Sequence, residues 1–194
     1  MKKGLLVVVG SLIMMASAMA QREETVLGNR GLGFSGVWLD WKTNLSTFNG
    51  NYSPYYGFAW GLEFGKSLEV GGNHYKITGE QAPNGKLFDL NSNGLLIRYA
   101  PRAEKPFHPV FGIVGSIGKL DIEGTNSSVF TVEPSIGVGI NVLRWFHVDV
   151  DGGYRLVTGN KIVGYKDADF SGAFAAVHLK FGWSWGGSSY RNGF

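Results

Sequence analysis

The stretch Tyr56 to Gly65, YGFAWGLEFG, carries a large apolar residue at every second position (Tyr56, Phe58, Trp60, Leu62, Phe64), with only Gly, Ala or Glu between them. Side chains alternate between the two faces of a strand, so this segment has one face of large apolar groups and one that is nearly bare. The same pattern recurs in three later tracts. In 134–142, Pro134, Ile136, Val138, Ile140 and Val142 alternate with Ser135, Gly137, Gly139 and Asn141. In 146–156, Phe146, Val148, Val150, Tyr154 and Leu156 alternate with His147, Asp149, Asp151, Gly153 and Arg155. In 173–185, Ala173, Ala175, Val177, Leu179, Phe181, Trp183 and Trp185 alternate with Phe174, Ala176, His178, Lys180, Gly182 and Ser184.

Clusters of Gly, Asn, Ser, Pro and Asp separate eight candidate strands near 31–42, 55–66, 68–77, 87–100, 109–121, 130–142, 146–158 and 170–185. Gly71-Gly72 is expected to form a bulge in the third. Short connections at 66–67 and 143–145 alternate with longer polar ones at 43–54, 78–86, 122–129 and 159–169, while 101–108 is intermediate. Long loops at one end and short turns at the other are expected of an all-β, eight-stranded, antiparallel up-and-down transmembrane barrel.

Alternation alone leaves the direction of the apolar face open. The other face decides it. A barrel in water shows the solvent charged and hydroxyl side chains, whereas here that face holds Gly57, Ala59, Gly61, Gly65, Gly137, Gly139 and Gly182. An eight-stranded barrel has an interior only just wide enough for side chains, which suits small residues among a few charges. The apolar face therefore points to lipid. Aromatic residues fall near both ends of the strands, Trp38, Trp41, Tyr55 and Tyr56 toward one and Phe64, Tyr99, Trp145, Phe146, Phe181, Trp183 and Trp185 toward the other, as expected of two interfacial girdles.

Met1 to Ala20 has Lys2 and Lys3, an apolar run and Ala18-Met19-Ala20, the plan of a secretory signal peptide cleaved before Gln21. Without it the chain has 16 basic and 15 acidic residues, no Met and no Cys. Near-neutral charge gives no reason to expect nucleic acid, and a Cys-free exported chain gains nothing from disulfides. No window beyond Ala20 holds 18 consecutive apolar residues, so a helical span is excluded. The expected organisation is a signal peptide over 1–20, a polar segment over 21–30, a barrel over 31–185 and a tail over 186–194.

The chain resembles the small outer-membrane β-barrels of Gram-negative bacteria that include the OmpX- and OmpA-like barrels. The resemblance covers 31–185 and is carried by YYGFAWGLEFG (55–65), GLLIRYAPRAEKPFHPVFGIVGSIG (94–118), EPSIGVGINVLRWFHVDVDGGYRL (133–156) and FSGAFAAVHLKFGW (170–183). It implies an outer-membrane location in contact with membrane lipid and lipopolysaccharide. In that family the last strand ends on an aromatic residue read by the insertion machinery. Here GGSSYRNGF follows Trp185, and the chain departs from the pattern.

On the lumen face the strands place Glu63, Arg98, Glu133, His147, Asp149, Asp151, Arg155, His178 and Lys180, expected to form an ion-pair network that plugs the barrel, because unpaired charge in a narrow low-dielectric space is costly. His147, Asp149 and Asp151 share one strand face but match no metal-ligand spacing. No cofactor, metal or catalytic constellation is expected. GLGFSG (31–36) fits a dinucleotide fingerprint in spelling only, since no apolar strand precedes it and no helix follows. Asn44, Asn51 and Asn126 begin N-x-S triplets, read as polar loop chemistry.

Four functions remain. The leading one is a non-enzymatic structural or surface-interaction barrel that meets an extracellular partner through loops 43–54 and 159–169, with Phe48, Tyr52, Tyr165, Lys166 and Asp167 as contact residues. The others are a narrow pore for ions or small solutes, a lipid-modifying enzyme, and a soluble lipocalin-like carrier with the opposite barrel orientation.

Overall fold

The computed structural model describes residues 33–48 and 51–184. The expected signal peptide, the segment 21–30, the tail 186–194 and Trp185 lie outside the described residues. Eight antiparallel strands run in sequence: β1 (Phe34–Phe48), β2 (Asn51–Phe64), β3 (Leu68–Gln81), β4 (Leu87–Tyr99), β5 (Phe107–Ile122), β6 (Thr125–Asn141), β7 (Phe146–Thr158) and β8 (Gly172–Ser184). Each pairs with the next, and β8 pairs back onto β1 from Ser46↔Phe174 to Gly36↔Ser184, so the sheet closes and no edge is left open. Phe34 and Ser184 lie at the same end, called the lower end below.

Three of the four expected long loops are strand in part. Residues 43–48 and 51–54 extend β1 and β2 with regular pairing as far as Phe48↔Asn51, 78–81 belong to β3, and 125–129 to β6. The upper connections are 49–50, 82–86, 123–124 and 159–171, so the last is the one long loop. Gly71 and Gly72 pair regularly with Gly61 and Trp60, and the irregularity in β3 falls instead between Ile77 and Glu80, where Gly79 takes a φ of +70°.

The strand extensions lie where the barrel changes polarity part-way up. In its lower part the exterior is apolar: Trp60, Leu62, Leu95, Ile97, Ile136, Val138, Val150, Leu179 and Trp183 are all exposed, and the charged residues point inward. In its upper part the interior holds a dry core of Phe48, Tyr75, Ile77, Phe88, Leu90, Leu120, Ile122 and Val129, with Phe170 among them. There the exterior shows Lys76, Asn91, Asn93, Lys119, Asn126 and Ser128. The lower belt has the apolar exterior that suits lipid, and the upper part has the more polar exterior that suits water.

Inward glycines make the lower lumen possible. A Cβ on Gly61 would meet Val70 O at 2.2 Å and the Trp38 ring at 2.8 Å, so the bare face of YGFAWGLEFG is the space that an inward indole occupies.

Candidate functional site

The expected girdle needs two corrections. Trp38 and Tyr55 are 4% and 2% exposed and point into the barrel, because the period of two puts Trp38 on the opposite face from Trp41, three residues on, and Tyr55 on the opposite face from its neighbour Tyr56. The Trp38 indole N–H donates to Leu62 O at 3.2 Å, and the Tyr55 hydroxyl accepts from Arg155 Nη2 at 2.8 Å. Trp41, Tyr56, Tyr99, Trp145 and Trp183 are exposed, and Phe64, Phe146 and Phe181 are partly covered. Trp145 stacks on Phe181 with ring centres 6.2 Å apart.

The lumen charges form two groups at different heights. In the lower group Arg98 is buried among three carboxylates, Asp40 (3.4 Å), Glu69 (3.5 Å) and Asp149 (3.3 Å). Lys180 donates to Glu69 Oε1 at 2.6 Å and lies 3.5 Å from Asp149. His178 sits directly across from Asp149 in the β7–β8 ladder, and its two ring nitrogens face Asp40 Oδ2 at 2.7 Å and Asp151 Oδ1 at 3.3 Å. The cluster draws on β1, β3, β4, β7 and β8, so it straps the barrel across its width.

The upper group is smaller. Arg155 Nε donates to Glu133 Oε1 at 2.9 Å, while Nη2 donates to Ser46 Oγ and to the Tyr55 hydroxyl. Its guanidinium faces the rings of Phe48, Tyr55 and Tyr75 at 4.8, 5.0 and 5.7 Å, cation–π contacts that suit Arg where desolvation is complete. Directly above lies the dry core, capped by the loop 159–171. The 3₁₀ turn Asp167–Phe170 in that loop drops Phe170 against Phe88, with Ile162 and Tyr165 packed beside it.

Glu63 and His147 stand apart from both groups. Glu63 is half-buried at the lower rim, where it accepts from the hydroxyls of Ser35 and Ser184, and His147 Nδ1 lies 2.6 Å from Asn141 Oδ1. Sequence reasoning missed Asp40, Lys42 and Glu69, although Asp40 and Lys42 alternate with Leu39 and Trp41, and Glu69 precedes Val70 on the same period of two. Lys42 is buried over the Tyr75 ring at 5.6 Å, in no ion pair among the described residues. Beside it the side-chain amides of Asn44 and Asn73 have no hydrogen-bond partner among those residues. They line a cavity with about 20 Å³ open to the centre of a water molecule.

The expected contact residues also move. Phe48 is buried in the upper core, Tyr165 packs against Phe170, and Asp167 accepts from the backbone N–H groups of Gly159 and Asn160. Tyr52, Val163 and Lys166 remain exposed. Above the belt Lys86 pairs with Glu123 at 2.8 Å, and that hydrogen bond holds the ammonium form of Lys86 to higher pH. No group of three or more His, Asp or Glu among the described residues is arranged to hold a metal ion.

No protein-family model and no curated protein matches the chain in sequence. Among solved structures it is similar to Neisserial surface protein A, with 19% identity, a TM-score of 0.47, and 76% of this chain and 94% of that one covered. It is also similar to the N-terminal barrel domain of Pseudomonas aeruginosa OprF, with 9% identity, a TM-score of 0.49, and 75% and 97% covered. A third likeness is to the attachment invasion locus protein Ail of Yersinia pestis, with 12% identity, a TM-score of 0.44, and 79% and 99% covered. The closed barrel rests on its own strand pairing, and these likenesses add no argument about function.

Proposed function

We propose that the chain is an outer-membrane β-barrel without enzymatic activity, anchored by its lipid-facing belt and acting as a structural or surface-interaction protein through its upper end. What supports this reading is that the ion-paired cluster around Arg98 and the apolar core under Phe170 fill the lumen at two successive levels. A barrel of eight strands closed at two levels offers its partners its outside rather than its interior. The surface it offers is the loop 159–171, where Val163 is 96% exposed between Lys161 and Lys166. The hydrogen bonds to Asp167 and the packing of Phe170 hold that loop in one shape, which lowers the ordering cost of a contact.

The test replaces residues 160–166 with a Gly/Ser stretch of equal length that keeps Asp167 and Phe170. Cells displaying the natural chain are compared with cells displaying the variant for attachment to immobilised matrix glycans and proteins. Loss of attachment with unchanged barrel abundance supports a surface role for the loop. Equal attachment removes the loop from the account.

A second reading, a narrow pore, is favoured by the unpartnered amides of Asn44 and Asn73 along the small cavity beside Lys42. Room for about one water molecule at mid-lumen is the start of a water file, but the closures above and below it must open before it conducts.

A further inference from the structure

The upper edge of the lipid belt is not level around the barrel. One row of neighbouring outward residues reads Phe58, His74, Asn93, Ile117, Phe130 across β2 to β6. It is apolar at both ends and polar in the middle, where His74 Nδ1 lies 2.8 Å from Asn93 Oδ1. The next row up reads Tyr56, Lys76, Asn91, Lys119, Ser128. Polar groups thus cut a notch into the belt at β3 and β4, while Ile117 and Phe130 keep it apolar beside them, 70% and 46% exposed.

The notch has a floor and two cations. A shallow, open depression of about 430 Å³ on the outer face of β4 to β6 is lined by Asn91, Asn93, Ile117, Lys119, Asn126 and Ser128, with Lys76 beside it on β3. Adjacent strands are about 4.8 Å apart, so Lys76 and Lys119, on either side of Asn91, have Cα atoms about 10 Å apart, and their flexible stems can converge on one group between them. Neither lysine is in an ion pair among the described residues. The two carboxylates one row higher, Asp89 and Asp121, each accept a backbone N–H instead, from Gly79 at 2.8 Å and from Gly124 at 3.0 Å.

We propose that this notch holds the phosphorylated headgroup of a membrane lipid, with the phosphate between Lys76 and Lys119, the amides of Asn91 and Asn93 on its polar oxygens, and the acyl chains running down over Ile117 and Phe130. The proposal rests on the lipid-facing reading of the lower belt. Two unpaired cations, amide donors and an apolar slope meet at one edge of that belt, where a lipid's phosphate sits directly above its chains. A purely water-exposed face needs no apolar slope under its lysines, and a purely acyl-chain groove has no use for the lysines.

The test is native mass spectrometry of the barrel released from phosphatidylcholine nanodiscs containing phosphatidic acid or, in parallel, diacylglycerol with the same chains. Insertion is scored separately by protease protection of the lower belt. The expected result is one retained phosphatidic acid and no retained diacylglycerol. Lys76→Gln with Lys119→Gln should lower retention about tenfold, and Lys161→Gln with Lys166→Gln on the long loop should leave it unchanged. Equal retention in the Lys76/Lys119 variant, equal loss in the loop variant, or retention of diacylglycerol overturns the site while the membrane reading stands. Failure to insert overturns both.

Discussion

Arg155 Nε donates to Glu133 Oε1 at 2.9 Å at the level where the lumen changes from ionic to dry, and neither side chain has more than 1% of its surface exposed. Removing one partner strands a buried charge, so Arg155→Ala or Glu133→Ala should each destabilise the barrel by about 3–5 kcal/mol. Replacing both with apolar residues of similar volume, Glu133→Leu with Arg155→Met, should cost less than either single change. Urea unfolding in detergent or vesicles, followed by the gel shift between folded and unfolded forms, checks this ordering. A double variant weaker than both single ones would mean that the pair contributes net stability.

The change of polarity along one strand gives a second expectation. On β4, Ile97 and Asn91 face the same way, one in the lower belt and one above it. Arginine at a lipid-facing site near the middle of the bilayer costs about 2–4 kcal/mol and little at the interface. Ile97→Arg should therefore destabilise by about that amount, and Asn91→Arg should be nearly neutral. Unfolding free energies in phospholipid vesicles compare the two directly.

The same reversal explains what was legible in the sequence. The tracts 55–65, 134–142 and 146–156 lie mainly in the lower part, where apolar-out and small-or-charged-in alternation matches the lipid rule, and they read correctly as strands. Residues 43–48, 51–54, 78–81 and 125–129 lie in the upper part, where Asn44, Ser46 and Ser53 face in beside Phe48 and Val129 while Leu45 and Tyr52 face out, so the alternation is mixed. Without the lipid-type pattern their Asn, Ser and Gly resembled loop chemistry, and it is the ladder pairing that runs to Phe48↔Asn51, Gln81↔Leu87 and Ile122↔Thr125 that makes them strands. Asp40 and Glu69 were hidden for a different reason. Each is the one acidic residue of its face in the lower lumen, and only closure of β8 onto β1 carries Asp40 to His178, while Glu69 meets Lys180 across the lumen.

Trp38 and Trp60 provide an optical check of the corrected girdle. Trp38 is 4% exposed inside the lumen and Trp60 is 58% exposed on the belt. In variants that keep Trp38 or Trp60 as the sole tryptophan, with the other five of the six replaced by Phe, brominated acyl chains should quench Trp60 strongly and Trp38 weakly. Comparable quenching would return Trp38 to the lipid face.

Phe170 closes the upper mouth with no exposed surface, in edge contact with Phe88 at 5.2 Å between ring centres. Phe170→Ala should cost about 3–5 kcal/mol and expose the loop 159–171 to protease, since the cavity left behind adds to the lost burial. Limited proteolysis at matched folded fraction separates the loop's release from global unfolding.

Whether the lumen is shut at both levels can be read by single-channel recording of the refolded barrel in a planar bilayer. The natural chain should be silent, as should Phe170→Ala, which leaves the Arg98 cluster in place, and Arg98→Ala, which leaves the apolar core in place. A steady conductance in the natural chain that rises in Arg155→Ala would contradict the double closure and make the lumen a gated pore.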